Sequence, residues 1–161
     1  MIKLIPATLT DIPTIFSLAE KIWHDHYISI ISKEQITYML DKFYSEEALK
    51  EQMVGGQMFY LIVEHDELPL GYVAFTEKEP ACWFMNKFYI KTENQGQGTG
   101  AKVLKEWEER VSPKELSLQV NRKNYKSINF YFKTGFKIRQ VADFDIGHGF
   151  FMDDYIMEKV Y

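Results

Sequence analysis

Residues 94 to 102 read NQGQGTGAK, with three glycines (Gly96, Gly98 and Gly100) in five positions between a strand-like run and a helix-like run. Glycine serves where the backbone must turn left-handed or approach another group closely. A helix opening behind such a loop presents unpaired N–H groups and the positive end of its dipole, a site for an anion. The plainer reading is a loop-to-helix turn, because glycine punctuates turns everywhere. Either way the chain is committed to a strand–loop–helix unit.

The flanking periodicities extend that unit to an α/β fold. Ile2 to Ile5 reads as a first strand. Thr10 is the expected cap of a helix carrying Ile12, Ile15, Phe16, Ala19, Ile22 and Trp23. Ser32 and Gln35 form a capping-box pattern before Ile36, Met39, Leu40 and Phe43. Ser45 opens a third, short helix with Glu46 and Glu47 in its first turn. Gln57 to Glu64 and Leu70 to Thr76 read as a hairpin turning through Asp66 and Pro69, and Ala81 to Ile90 as a longer strand. Val103, Leu104, Trp107 and Val111 mark the helix after the glycines. Leu116 to Val120 reads as a strand, Lys123 to Thr134 as a helix stopped by Gly135, and KIRQV and FFMDDYIMEKV as two last strands. The expected order is β-α-α-ββ-β-α-β-α-β-β around a mixed sheet. With no repeat, low-complexity tract or linker, residues 1–161 are expected to form a single domain.

Composition narrows the function classes. A chain of 161 residues can bury a core alone. No apolar run approaches a membrane span, and the start shows no signal-peptide pattern. Cys82 is the only cysteine and sits in an apolar run, which fits a buried thiol and a cytoplasmic location. Net charge is −4, which argues against a nucleic-acid binder. The charge is uneven: Lys87 to Arg139 carries 12 Lys and Arg against 5 Asp and Glu, and the remainder is acidic. One part could attract an anion and the other a cation.

Three phosphate motifs compete for the glycines. The nucleotide triphosphatase loop requires Gly-Lys-Ser/Thr, but Ala101 follows Gly100. The dinucleotide fingerprint fits Gly96, Gly98 and Ala101 by letter. Its context is wrong, because five residues separate Ile90 from Gly96 and no acidic residue ends the next strand. The third is the coenzyme A pyrophosphate loop Q/R-x-x-G-x-G/A, filled by Gln95, Gly98 and Gly100. A second motif follows at NYKSINFYFKTGF, where Asn124, Tyr131, Lys133, Gly135 and Phe136 match N-x-x-A-x-x-x-Y-x-K-x-G-F and Ser127 replaces Ala. On these two motifs and the strand order, the chain resembles the GNAT superfamily of N-acetyltransferases across nearly its whole length.

The resemblance implies a mixed six- to seven-stranded sheet with splayed central parallel strands flanked by helices. Acetyl-CoA would be the cosubstrate, without a metal. Backbone groups of Phe88, Tyr89 and Ile90 would pair with the pantetheine arm, and one N–H would polarise the thioester carbonyl. Amides of Gln95, Gly96, Gln97, Gly98, Thr99, Gly100 and Ala101 would hold the pyrophosphate. Asn121, Asn124, Ser127 and Lys133 would line the cofactor side, and Lys91, Lys102, Arg122, Lys123 and Lys126 are available to the 3′-phosphate. Tyr131 would be the general acid toward the departing thiolate; read without the motif, it is a core residue on one helical face with Ile128 and Phe132. Freeing an amine of pKa about 10.4 near neutrality costs ~4 kcal/mol, so a base is expected. Some relatives place a Glu where this chain has Asn86, which leaves His24, His26, His148, Glu77 and Glu79 by type, His24 first.

The acceptor is expected against the first two helices and the loop between the last two strands. Those segments combine aromatics with Asp25, Asp41, Asp143, Asp145, Asp153 and Asp154, a mixture suited to a cationic amine. The pattern is similar to the bacterial spermidine/diamine branch, which implies a small primary amine, a polyamine among the options. Nucleic acid and membrane are not expected partners, and a homodimer is allowed. The alternatives are a non-catalytic acyl-CoA-binding or sensing domain and acetylation of a protein or another small amine.

Overall fold

The computed structural model describes residues 1–65 and 68–161. Asp66, assigned to the hairpin turn, lies outside the described residues.

Seven strands hydrogen-bond in the order β1-β2-β3-β4-β5-β7-β6. They are β1 (Ile2–Pro6), β2 (Met58–Glu64), β3 (Gly71–Glu79), β4 (Cys82–Ile90), β5 (Glu115–Asn121), β6 (Lys137–Gly147) and β7 (Phe150–Val160). The helices are α1 (Ile12–Tyr27), α2 (Lys33–Tyr44), α3 (Glu46–Val54), α4 (Thr99–Val111) and α5 (Tyr125–Lys133). The expected mixed sheet and alternating order are both present. No described helix is long and apolar enough to cross a membrane.

The chain forms two compact units, 1–76 with 86–112, and 77–85 with 113–161. Neither is a contiguous segment. In the first, β1, β2 and β3 form an antiparallel meander. Its sealed interior includes Ile15, Ile22, Ile36, Leu49, Ile62 and Trp107, with the Trp107 ring stacked on Phe75 at 4.0 Å. In the second, β4 and β5 run parallel from Cys82↔Glu115 to Met85↔Leu118. That ladder ends before either strand does. β7 then pairs antiparallel with both β5 and β6, and Leu116, Leu118, Phe136 and Met157 are sealed there.

Several local readings change. Thr8 caps the chain ahead of α1, its N–H bonded to Asp11 Oδ2 at 2.8 Å in a short 3-10 turn, and Thr10 does not cap. Ser32 and Ser45 cap as expected, accepting from the N–H of Gln35 and Ala48. Phe16 is exposed, and Leu18 takes its place on the buried face of α1. On α2 the sealed aromatic is Tyr44, with Phe43 only half-buried. Phe132 is exposed on α5, so Ile128 and Tyr131 alone make its buried stripe. The loop between the last strands is shorter than expected: β6 runs on past KIRQV to take in Asp143 and Asp145, Asp153 and Asp154 lie in the expected last strand, and only His148 and Gly149 separate the two.

Candidate active site

In the first unit, β4 delivers Phe88, Tyr89 and Ile90 to the start of the glycine loop. Gly96 and Gly98 both take positive φ, +81° and +75°, and a Cβ at either would meet nothing within 4 Å. The need for glycine is therefore conformational, not steric. Gly98 is the residue that starts α4, and no side chain caps that helix. Lys102 N–H makes the first turn's bond back to Gly98 O at 3.2 Å, so the N–H groups of Thr99, Gly100 and Ala101 lie in the first turn, where a helix has no internal acceptors to offer. This uncapped, glycine-led helix start offers N–H groups and a partial positive charge to an anion. The Gln95 side chain donates from Nε2 to Ile90 O at 2.8 Å and ties the loop to the strand end, which engages the Ile90 carbonyl.

Tyr89 turns its ring into a cluster with Trp23 and Tyr72, both centred 5.5 Å away. Its hydroxyl lies 3.3 Å from that of Tyr27. Beneath them the Tyr72 hydroxyl donates to Tyr44 at 2.8 Å. Burial raises both phenols well above their ordinary pKa, so these two hydroxyls stay protonated near neutrality. Trp23 Nε1 is buried beside them without a hydrogen bond of normal geometry. His24, the base expected first, is half-buried on α1, and no hydrogen bond orients its ring among the described residues. Asn86 Oδ1 accepts from Thr76 Oγ1 at 2.7 Å and pins β3 to β4.

Sequence reasoning missed Lys87. It alternates with Trp83 and Met85 on the buried parity of β4, which is the one signal that marks it. Its ammonium donates to Gln52 Oε1 at 2.7 Å and Gln57 Oε1 at 2.9 Å, and lies over the rings of Phe59 and Tyr44. Burial lowers its pKa to about 7 from 10.5. Between those values the unfolded chain holds the proton and the folded chain does not, so stability rises with pH across about 7 to 10.5. Below pH 7 the cost of burying the cation is present in full. Relative to Lys87→Met, the wild-type unfolding free energy should climb by up to about 1.4 kcal/mol per pH unit in that window. Parallel denaturation curves for the two proteins from pH 6 to 10 test this; a flat difference would place the lysine's pKa outside the window.

In the second unit, Asn124 starts α5. It is buried, 4% exposed, and its Oδ1 accepts from Ser127 N at 3.3 Å. Asn121 Oδ1 accepts from Lys123 N at 2.9 Å. Both asparagines thus shape the β5–α5 turn with their oxygens. Tyr131 is 7% exposed, its ring packed on Phe130 and Phe136. Lys133 is exposed. Arg122 Nη1 contacts Asp143 at 2.7 Å, and its Nη2 lies 3.9 Å from Asp153. Its charge is shared between these two exposed carboxylates.

The acetyltransferase (GNAT) domain model matches residues 28–145. The chain belongs to the GNAT family. GNAT acetyltransferases use acetyl-CoA, and this one is an acyl-CoA-dependent N-acetyltransferase. It is 27% identical to a spermidine N(1)-acetyltransferase of Thermoplasma acidophilum over 96% of this chain and 94% of that one. The solved PaiA N-acetyltransferase of the same organism, in complex with coenzyme A, superposes with a TM-score of 0.80 at 26% identity, covering 100% of this chain and 99% of that one. The peptidyl-lysine N-acetyltransferase YjaB of Salmonella typhimurium is 28% identical over 62% of this GNAT chain and 63% of its own length.

Proposed function

We propose that the enzyme acetylates a small primary amine of the polyamine class, with Tyr131 as general acid. The acceptor class is supported by the spermidine N(1)-acetyltransferase relative, which aligns over nearly the full length of both chains. The single structural observation that carries the cosubstrate assignment is the uncapped start of α4 behind two left-handed glycines. The amides of residues 96–101 and the side chains of Asn121, Asn124, Ser127 and Lys133 would hold acetyl-CoA, with the backbone of Phe88, Tyr89 and Ile90 along its pantetheine arm. Bound there, the cosubstrate supplies an activated thioester acyl group.

The chain's own residues then manage protons and water. Tyr131 carries on Oη the proton that a departing thiolate needs, and its buried ring holds that hydroxyl in place. His24 stays the base candidate by residue type. The Tyr27 and Tyr89 hydroxyls, above an aromatic floor, offer acceptors to an N–H and ring faces to a cation.

Thiol release from acetyl-CoA tests the reading, with spermidine, spermine, putrescine, amino sugars and a lysine peptide offered separately. Release with a polyamine is expected. Release with the lysine peptide alone would move the chain to protein acetylation, and binding of acetyl-CoA without any release would make it a sensor.

A further inference from the structure

Six carboxylates were candidates for meeting a cationic acceptor, and five of them are accounted for. Asp143 and Asp153 share the Arg122 guanidinium. Asp145 Oδ1 accepts from Gly147 N at 2.8 Å, closing the β6–β7 turn. Asp25 and Asp41 are exposed on α1 and α2, where water solvates them. Asp154 is the exception. It is 3% exposed, and among the described residues its carboxylate makes no hydrogen bond and no ion pair.

The sheet register fixes what surrounds it. Asp154 stands opposite Asn121 on β5 and Ala142 on β6. Directly opposed residues project to the same face, so its side chain shares a face with Asn121, and along its own strand with Met152 and Ile156. None of these is a cation. Three charged groups act on it: Arg122, which is committed elsewhere, and Asp153 and Asp143, which repel it. Here three carboxylates face one guanidinium. A buried carboxylate without a partner is expensive unless a counter-charge arrives.

We propose that Asp154 binds a non-reacting ammonium group of the polyamine acceptor, the cation its buried carboxylate lacks within the chain. This rests on amine acetylation as the reaction and names the residue that would select a charged acceptor. Burial lifts the Asp154 carboxyl to about 6, against the opposing pull of Arg122, with Asp153 and Asp143 adding to the rise. A bound ammonium should reverse part of that rise, because an opposite charge within contact distance favours the ionised form.

The test is a carboxyl-carbon NMR titration of Asp154 in the wild-type chain, without and with saturating spermidine. The midpoint should fall by about one unit or more with the amine; a midpoint unmoved by it overturns the proposal. In turnover, Asp154→Asn should raise the spermidine KM about 10- to 100-fold with the acetyl-CoA KM unchanged, and Asp154→Glu should recover part of the loss. A spermidine KM within twofold of wild type in Asp154→Asn would overturn the proposal while leaving amine acetylation intact. If the wild type released no thiol with any amine, the acceptor reading itself would fall, and the titration would still decide Asp154 on its own. The titration needs no variant, so it also stands if Asp154→Asn does not fold.

Discussion

Tyr131→Phe should lower kcat by about 10²- to 10⁴-fold, the range a positioned general acid contributes, while acetyl-CoA affinity stays near wild type. The substitution deletes one oxygen from a residue that is 7% exposed and packed on Phe130 and Phe136, so the ring and its packing are retained. The stability cost should stay within about 1–2 kcal/mol, the value of one buried hydroxyl's hydrogen bonds. Two readouts separate the roles. A core tyrosine would cost stability and leave turnover alone; a proton donor would do the reverse. Pre-steady-state thiol release at saturating acetyl-CoA and amine is the measurement, because it isolates the chemical step from binding. A less than tenfold loss would return Tyr131 to the core and leave protonation of the thiolate to water.

Much of the architecture was written in periodicity. The buried stripes of α2 and α4 and the serine caps of α2 and α3 follow from spacing alone, because a helix start and an apolar face are local properties. Phe16 failed for a non-local reason: it lies 38% exposed on the open side of α1, and Leu18 fills the buried face instead. FFMDDYIMEKV was read as the strand it forms, but the far half of β6 was misread as loop, because β6 alternates charged with apolar residues there and carries bulges between Ile138 and Gln140 and between Asp145 and Gly147. Within the site, the glycines announced their conformation, since a positive φ favours glycine wherever it occurs. The side chains around them did not announce their partners. Gln95 bonds a carbonyl five residues back, Asn124 caps its own helix, and Arg122 is drawn to carboxylates on two other strands. Such pairings depend on which strands become neighbours, and Lys87 and Asp154 owe their burial to the same cause. A single sequence shows the residue types and hides the register.

Gly71→Ala should destabilise the protein by about 3 kcal/mol or more and disturb the cofactor side of β4 with it. Gly71 does not have positive φ, so the glycine is required by space. A Cβ there would overlap the Tyr89 carbonyl oxygen and sit 3.0 Å from Ile90 Cα. Both obstacles are backbone, which cannot rotate away as a side-chain tip can. Overpacking a tight core typically costs about 1–3 kcal/mol, and the upper end applies when the obstacle is main chain on both counts. Relief must come from moving β4 away from β3. The neighbouring bonds, Lys91 N to Leu70 O at 2.8 Å and Thr76 Oγ1 to Asn86 at 2.7 Å, hold those strands at this distance. The displaced segment is residues 89 and 90, whose backbone is assigned to the pantetheine arm, and Ile90 O also anchors Gln95 and the loop. Weaker acetyl-CoA binding should therefore accompany the lost stability. Thermal melts with and without acetyl-CoA separate the two effects: a lower melting temperature with the full ligand-induced rise retained would mean that β4 absorbs the extra carbon without moving the site, whereas loss of both ties the close approach at Gly71 to the geometry of Tyr89 and Ile90.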